Sequence, residues 1–212
     1  TDTWTTDAHY AGVPGVGADT AWWTTSLELE HNHLTRTAFS GTATDIYKFF
    51  DKLCRPLLFE LLRLSGLPTR ILQPYSDYMD NLVIRNRLPL GLGTPYKRNT
   101  SIPQGCPFSM TMVALIMRPL ILVMRSVTGA KAYILADDVL VTVTGAEMAT
   151  HLADAINKTH SYLHEMGARV APDKNYNFAS TAAARKWLAD ARWEGIGANI
   201  EVVKDFRYLD AH

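Results

Sequence analysis

The feature that most constrains the fold is a pair of adjacent acids between two short apolar runs. Residues 133–136 and 139–143 are rich in β-branched and apolar side chains, and Asp137 and Asp138 lie between them, where a tight turn would fall. This pattern predicts a β-hairpin with two carboxylates at its tip. Carboxylates a few ångströms apart repel each other by roughly 1 kcal/mol even at a high effective dielectric. A cation such as Mg²⁺ would relieve that repulsion, although a solvated turn would also contain such acids.

Length and composition favour a globular protein inside the cell. The 212 residues, 47% of them hydrophobic, suffice for one domain, or one domain with an appended lobe, with a sizeable core. The 21 basic and 21 acidic residues cancel, which argues against binding nucleic acid through overall charge but allows a local basic groove. Cys54 and Cys106 have no disulfide-scaffold or zinc-site spacing, so a reducing compartment is expected. We recognise no targeting segment. The longest apolar stretch, residues 110–123, is too short and too interrupted to span a bilayer. A nuclear or cytoplasmic location with no membrane partner is therefore expected.

A third acid stands at the end of a predicted strand. Residues 38–44 are typical of a strand that ends at Asp45, and residues 52–64 then show a helical period that stops before Gly66. A strand fixes the backbone of such an acid while its side chain faces an open rim, which suits a metal ligand. The local sequence leaves open whether Asp45 instead caps the following helix.

The middle of the chain combines a basic segment with a proline–glycine turn. Residues 69–101 have no dominant period, but their basic residues are interleaved with tyrosines, which suits either a nucleic-acid groove or a solvated surface. Gln104 could bond a base or sugar, and Gly105 would let the backbone approach a ligand closely. An apolar helix is predicted over residues 110–124, and Pro119 is expected to kink it or to begin a second helix.

Two amphipathic helices are predicted near the ends of the chain. The first begins at Asp19 or Thr20 and ends near His33, and its expected buried side comprises Trp22, Trp23, Leu27 and Leu34. The second covers residues 146–166, and its pair His160 and His164 is expected on the polar face or its margin. The pair lacks the adjacent glutamate of a zinc-protease helix, so solvated histidines are expected instead of a zinc site.

Five motifs occur along the chain in a fixed order. They are Asp45 with Phe50 five residues on, Pro-Gln-Gly-x-x-x-Ser at 103–109, Ala-Asp-Asp at 136–138, Gly167 with Lys174 seven residues on, and Phe-Arg-Tyr-Leu at 206–209. The series resembles the palm of reverse transcriptases, most closely those of non-LTR retrotransposons and group II introns, over about residues 12–209. The resemblance implies an α+β fold, an antiparallel sheet backed by helices. It also implies partial fingers at 1–35 and 67–103, a palm at 36–66 and 104–212, and no thumb.

The same resemblance implies a role for each matching residue. Asp45, Asp137 and Asp138 match the catalytic carboxylates that hold two Mg²⁺ ions, for which Mn²⁺ is an alternative, and Lys174 matches a catalytic lysine near the triphosphate. Ile46, Phe50, Gln104 and Gly105 match substrate-binding positions. Phe50 corresponds to the aromatic steric gate that excludes a 2′-hydroxyl, and residues 206–209 resemble the primer grip.

The function that follows from the resemblance is RNA-templated DNA polymerisation in a retroelement protein, with an RNA template, a DNA primer and deoxynucleoside triphosphates as partners. Val13 and Val16 stand where the family's fingers have arginines. A catalytically impaired palm retained as a nucleic-acid or protein binding scaffold is therefore the alternative. An RNA-dependent RNA polymerase is a third hypothesis, which Phe50 disfavours.

Overall fold

The structure is a computed structural model that describes residues 6–204. Its helices are α1 Ala18–Leu34, α2 Phe49–Lys52, α3 Arg55–Leu64, α4 Thr69–Asn81, α5 Pro107–Met124, α6 Met148–Glu165 and α7 Ala182–Asp190, with one 3-10 turn at Pro172–Lys174. Its strands are β1 Phe39–Asp45, β2 Arg87–Leu88, β3 Gly91–Leu92, β4 Ala130–Leu135, β5 Asp138–Thr144, β6 Tyr176–Ala179 and β7 Glu201–Val202.

A five-stranded sheet forms the centre of the fold, in the order β4-β5-β1-β6-β7. All neighbouring pairs are antiparallel except β6 and β7. The predicted hairpin is confirmed as β4 and β5, and the predicted strand that ends at Asp45 is confirmed as β1. Helices pack against this sheet, so the expected α+β fold, an antiparallel sheet backed by helices, is confirmed.

Alternation along β5 divides the core between the two faces of the sheet. Val139, Val141 and Val143 belong to the main core, which includes most of the buried side of α5 and α6. Leu140 belongs to a smaller core on the opposite face, together with Tyr133. Since residues opposite one another in an antiparallel pair share a face, Asp45 and Asp138 lie on the same face as Leu140.

Helix α5 is the central helix of the main core. It begins at Pro107, three residues before the predicted start, and runs through Pro119 to Met124, so the second helix expected at Pro119 does not form. The expectation that this stretch is too short to span a bilayer does not hold for the longer helix: among the described residues α5 is the one helix whose length and apolar composition would suffice, and 56% of it is buried inside the chain.

Helix α1 forms where expected, but its predicted buried side is wrong. Trp23, Leu27 and Leu34 are exposed, whereas Ala21, Thr25 and Asn32 are buried. The physical reason lies in what α1 meets on β4. Ala21 packs close to the sheet because it is small, and Glu28 accepts hydrogen bonds from the Tyr133 hydroxyl at 2.5 Å and from Lys131 Nζ at 2.8 Å. These contacts orient the helix more strongly than its larger apolar side chains do.

The polar position predicted for His160 is also wrong. His160 is 3% exposed, and its two ring nitrogens have no hydrogen-bond partner among the described residues. The segment that covers it contains Gly195, where a Cβ atom would lie 2.7 Å from His160 Cβ. Burial lowers the pKa of His160 to about 4, because the charged imidazolium would lose its hydration.

His160 makes the free energy of unfolding depend on pH. Its pKa is 6.5 in the unfolded chain and about 4 in the folded one, so between these pH values the proton binds the unfolded chain first. The free energy of unfolding therefore falls as the pH is lowered from 6.5 to 4. We expect this fall to be smaller by about 3 kcal/mol in His160→Leu, which has no imidazole to protonate. Urea unfolding at several pH values measures it, with His164→Leu on the exposed side of α6 as the control. An unchanged pH slope in His160→Leu would contradict the prediction.

Candidate active site

The hairpin and β1 bring the three predicted metal ligands to one end of the sheet. Asp45 ends β1 and lies directly opposite Asp138, the first residue of β5. Asp137 occupies the two-residue turn between β4 and β5, after Ala136. Ala136 has φ of +56°, a left-handed conformation that costs a non-glycine residue on the order of 1 kcal/mol. The turn therefore holds the acids in place at some cost in backbone strain.

Lys174, the predicted catalytic lysine, lies beside Asp45. Its Nζ atom donates to Asp45 Oδ2 at 3.2 Å, and this hydrogen bond, with the negative charge of Asp45, raises the pKa of Lys174. The 3-10 turn at Pro172–Lys174 places the lysine there, because the amide of Ala171 just before it donates to the carbonyl of Asp45 at 3.0 Å. The lysine side chain is largely exposed, so its ammonium can reach a bound substrate.

The electrostatics of Asp137 show that the carboxylates interact. Burial raises the pKa of Asp137, the negative charge of Asp45 raises it further, and the nearby Lys174 ammonium lowers it. A carboxylate with a raised pKa beside a second carboxylate is typical of a functional site, because such an arrangement costs stability.

The protein residues at this site supply only part of the coordination shell of a divalent metal ion, and a bound nucleotide would supply the rest. Across residues 6–204, no group of three or more His, Cys, Asp or Glu side chains is arranged to hold a metal ion. The donors are nevertheless hard carboxylate oxygens, and the repulsion between Asp45 and Asp137 is the kind that a cation removes. Mg²⁺ typically takes one or two protein carboxylates, with substrate phosphates and water completing its shell. The donor set therefore fits Mg²⁺ bound together with a nucleotide.

Phe50 and the predicted Gln104–Gly105 turn are joined by the backbone. The carbonyl of Phe50, in α2, accepts the amide of Ile102 at 3.0 Å, and the carbonyl of Leu53 accepts the amide of Ser101 at 3.0 Å. These bonds tie the segment that contains Phe50 to the segment that leads into the turn.

The turn itself has the form that its sequence demands. The amide of Cys106 donates to the carbonyl of Pro103 at 3.2 Å, and Gly105 has φ of +85°, where other residues are strained. The buried Ser109 hydroxyl donates to the same carbonyl at 2.7 Å. Gln104 and Gly105 are exposed at this surface, and nothing lies within 4 Å of a Cβ built on Gly105.

The other predicted site residues have different surroundings. Ile46 is only 1% exposed as a whole residue, and its side chain belongs to the main core. Phe50 is half-buried against the main core, with its ring 5.9 Å from that of Phe49. Residues 206–209, the predicted primer grip, lie outside the described residues.

Two residues that support the site escaped the sequence analysis. Asn175 is buried, and its Oδ1 atom accepts the amide of Asp45 at 2.7 Å. Arg55 is also buried, and it donates to three backbone carbonyls, including that of Ser101 at 2.7 Å. Asn175 follows Lys174 directly, which was the one available signal; nothing in the local sequence marks Arg55.

Comparison with protein families identifies the chain. A family described as "Reverse transcriptase (RNA-dependent DNA polymerase)" matches residues 13–209. The chain belongs to the reverse transcriptase family. No curated protein matches its sequence.

Solved structures with a similar fold include telomerases. The chain shares 14% identity and a TM-score of 0.59 with apo telomerase from Candida tropicalis truncated from its C-terminal domain, covering 77% of this chain and 35% of that one. Telomerase from Candida albicans in complex with the TWJ fragment of telomeric RNA shares 14% identity and a TM-score of 0.59, covering 78% and 30%. Apo telomerase from Candida tropicalis shares 12% identity and a TM-score of 0.58, covering 82% and 34%. The chain thus spans about a third of the length of those telomerase chains, and the likeness concerns the fold.

Proposed function

We propose that this chain carries out RNA-templated DNA polymerisation by a two-metal-ion mechanism, as part of a retroelement protein of the non-LTR or group II intron type. The observation that carries the proposal is the arrangement of Asp45, Asp137 and Asp138 at one end of the sheet, with Lys174 on Asp45. The family match supports an RNA template and nucleotide substrates, and a DNA primer follows from the proposed reaction. The division into palm and partial fingers belongs to the same proposal.

Each residue of the site has a definite part in this reaction. Asp45, Asp137 and Asp138 would hold Mg²⁺, or Mn²⁺ in its place. When bound, such ions lower the pKa of the primer 3′-hydroxyl and neutralise charge on the triphosphate. The Lys174 ammonium can turn from Asp45 towards the leaving pyrophosphate and give it a proton. The exposed Gln104–Gly105 turn is free to contact the template and the new base pair.

A catalytically impaired palm is the second candidate function. It is favoured by the absence of a ready three-ligand metal group among residues 6–204, and by Val13 and Val16 in place of the fingers' arginines. Such a protein would bind a primed RNA template without extending the primer. The telomerase likeness is compatible with either candidate, because it concerns the fold.

Primer extension decides between the two candidates. The chain is incubated with a DNA primer on an unstructured RNA template, with deoxynucleotides and Mg²⁺ or Mn²⁺, and extension is followed on a gel. Extension that stops when the metal is chelated and resumes when it is restored supports the polymerase. Tight binding of the primed template without extension in either metal would overturn it in favour of the scaffold.

Phe50 should set the choice between deoxynucleotides and ribonucleotides. Because Ile102 fixes the backbone of Phe50, we expect Phe50→Val to open space at the ring without moving the chain. Ribonucleotide incorporation relative to deoxynucleotide should then rise by about 10–100-fold, the scale of discrimination that one steric contact provides. Single-nucleotide insertion rates measure the ratio, with Phe59→Val in α3 as the control. A parent chain that already prefers ribonucleotides would instead indicate an RNA polymerase.

A further inference from the structure

The β2–β3 hairpin exposes apolar side chains that nothing in the described chain covers. Leu90 at its tip is fully exposed, and Leu88, Leu92 and the preceding Val83 are each more than half exposed. Within residues 6–204 the two strands pair only with each other, through Arg87 with Leu92 and Leu88 with Gly91. Apolar side chains clustered on such a projection are typical of a binding surface.

A chain of contacts fixes the base of the hairpin to the segment that carries Phe50. Ile84 and Tyr96 exchange backbone hydrogen bonds of 2.9 Å in both directions. The Tyr96 hydroxyl donates to Asn86 Oδ1 at 3.1 Å and accepts from Arg98 Nη2 at 3.1 Å. Arg98 Nη1 then donates at 2.8 Å to Asp51, the residue after Phe50. The apolar tip is therefore held at a set position relative to the proposed gate.

The charges around the tip indicate a polyanion as its partner. Residues 81–100, which contain the hairpin, include no aspartate or glutamate and four basic residues, of which Arg98 is paired with Asp51. Arg85 lies just before β2 and Arg87 is its first residue; both are exposed and form no ion pair with any residue from 6 to 204. Exposed arginines beside an apolar tip suit phosphates beside stacked bases, where leucine side chains are known to act as wedges.

We propose that the β2–β3 hairpin is a wedge for nucleic-acid duplex. Leu90 inserts against the terminal base pair and unstacks it, while Arg85 and Arg87 contact the flanking phosphates. Pro89 restricts the backbone of the tip, so the leucine is presented at little cost in conformational entropy. The inference rests on the proposed function in one respect: a templated polymerase must open any duplex that lies ahead of its active site.

The test measures base-pair opening in the absence of metal and nucleotide. The 212-residue chain is titrated into an RNA duplex with a single-stranded overhang and 2-aminopurine in the terminal pair, whose fluorescence rises on unstacking. We expect the parent chain to raise the fluorescence and Leu90→Ser to lower the rise about five-fold or more, the factor that one base contact provides. Leu27→Ser, at an exposed leucine on α1, is the matched control and should behave as the parent. Both leucines are exposed, so neither change should impair folding.

The arginines are tested separately through salt dependence. The Arg85→Gln/Arg87→Gln double variant should weaken duplex binding and reduce the slope of log affinity against log salt by about 2. Leu90→Ser should leave that slope unchanged.

Three results would overturn the wedge. They are an undiminished fluorescence rise in Leu90→Ser, an equal loss in Leu27→Ser, and a change in sedimentation with Leu90→Ser, which would make the tip a protein-docking surface. Base-pair opening without primer extension would contradict the proposed polymerase activity and support the wedge. Primer extension on an unstructured template without base-pair opening would support the polymerase activity and contradict the wedge.

Discussion

Asp137→Asn should lower primer extension by about 10³-fold without lowering the stability of the chain. The amide is nearly isosteric with the carboxylate, so the turn after Ala136 and the pairing of Leu135 with Asp138 are kept. What disappears is a negative charge that would hold Mg²⁺ in the transition state, and losses of a single electrostatic contact of this kind reach 10²–10³-fold or more. Extension rates at saturating nucleotide measure the effect.

The stability of the same variant should move in the opposite direction. Burial and the charge of Asp45 raise the pKa of Asp137, so its ionised form opposes folding at neutral pH. The neutral asparagine should therefore unfold at an equal or higher urea concentration. Asp154→Asn is the control, because Asp154 pairs with Lys158 on the surface of α6, and its extension rate should be unchanged. Full activity in Asp137→Asn would exclude the proposed role of the carboxylate.

Arg55→Met should lower the free energy of unfolding by about 3–5 kcal/mol. Arg55 is 2% exposed, and its guanidinium donates at 2.7 Å to each of three carbonyls, those of Met79, Arg98 and Ser101. Methionine fills most of the volume of the arginine stem but leaves all three acceptors unpaired, at about 1 kcal/mol or more each. Urea unfolding at pH 7 measures the loss.

Arg63→Met on the same helix is the matched control. Arg63 is exposed, and among the described residues its one ion pair is with Glu60, three residues before it, so its replacement should cost less than about 0.5 kcal/mol. A similar small cost for Arg55→Met would show that the three carbonyls find other partners. Because one of them belongs to Ser101, the destabilised chain should also bind template less well through the Gln104–Gly105 turn.

The elements that could be predicted from the sequence are those whose side-chain pattern fits only one kind of secondary structure. The continuous apolar run at residues 139–143 matches β5 because both faces of that strand are covered, and the Gly105 turn follows from a conformation that glycine favours. The acids at the strand ends could be placed as well, because the predicted strands and the predicted turn together determine where their side chains lie.

The rest depended on contacts between distant parts of the chain. Asn175 lies 130 residues from Asp45, and the three acceptors of Arg55 lie 24 to 46 residues away, so no local pattern marks either residue. The orientation of α1 was mispredicted because its apolar residues are not confined to one side, and a glutamate bonded to β4 decides which side is buried. Helix α4 was not predicted, since its sequence is polar and contains Pro74.

The central position of β1 has a consequence for how the protein is made. This strand is flanked by β5 and β6, which leave the ribosome about a hundred residues or more after it. Pairings that distant in sequence form slowly, so Asp45 has no finished surroundings until most of the chain has been translated. A messenger truncated before β6 would yield a polypeptide with an open sheet edge, prone to aggregation, instead of one with a weakened active site.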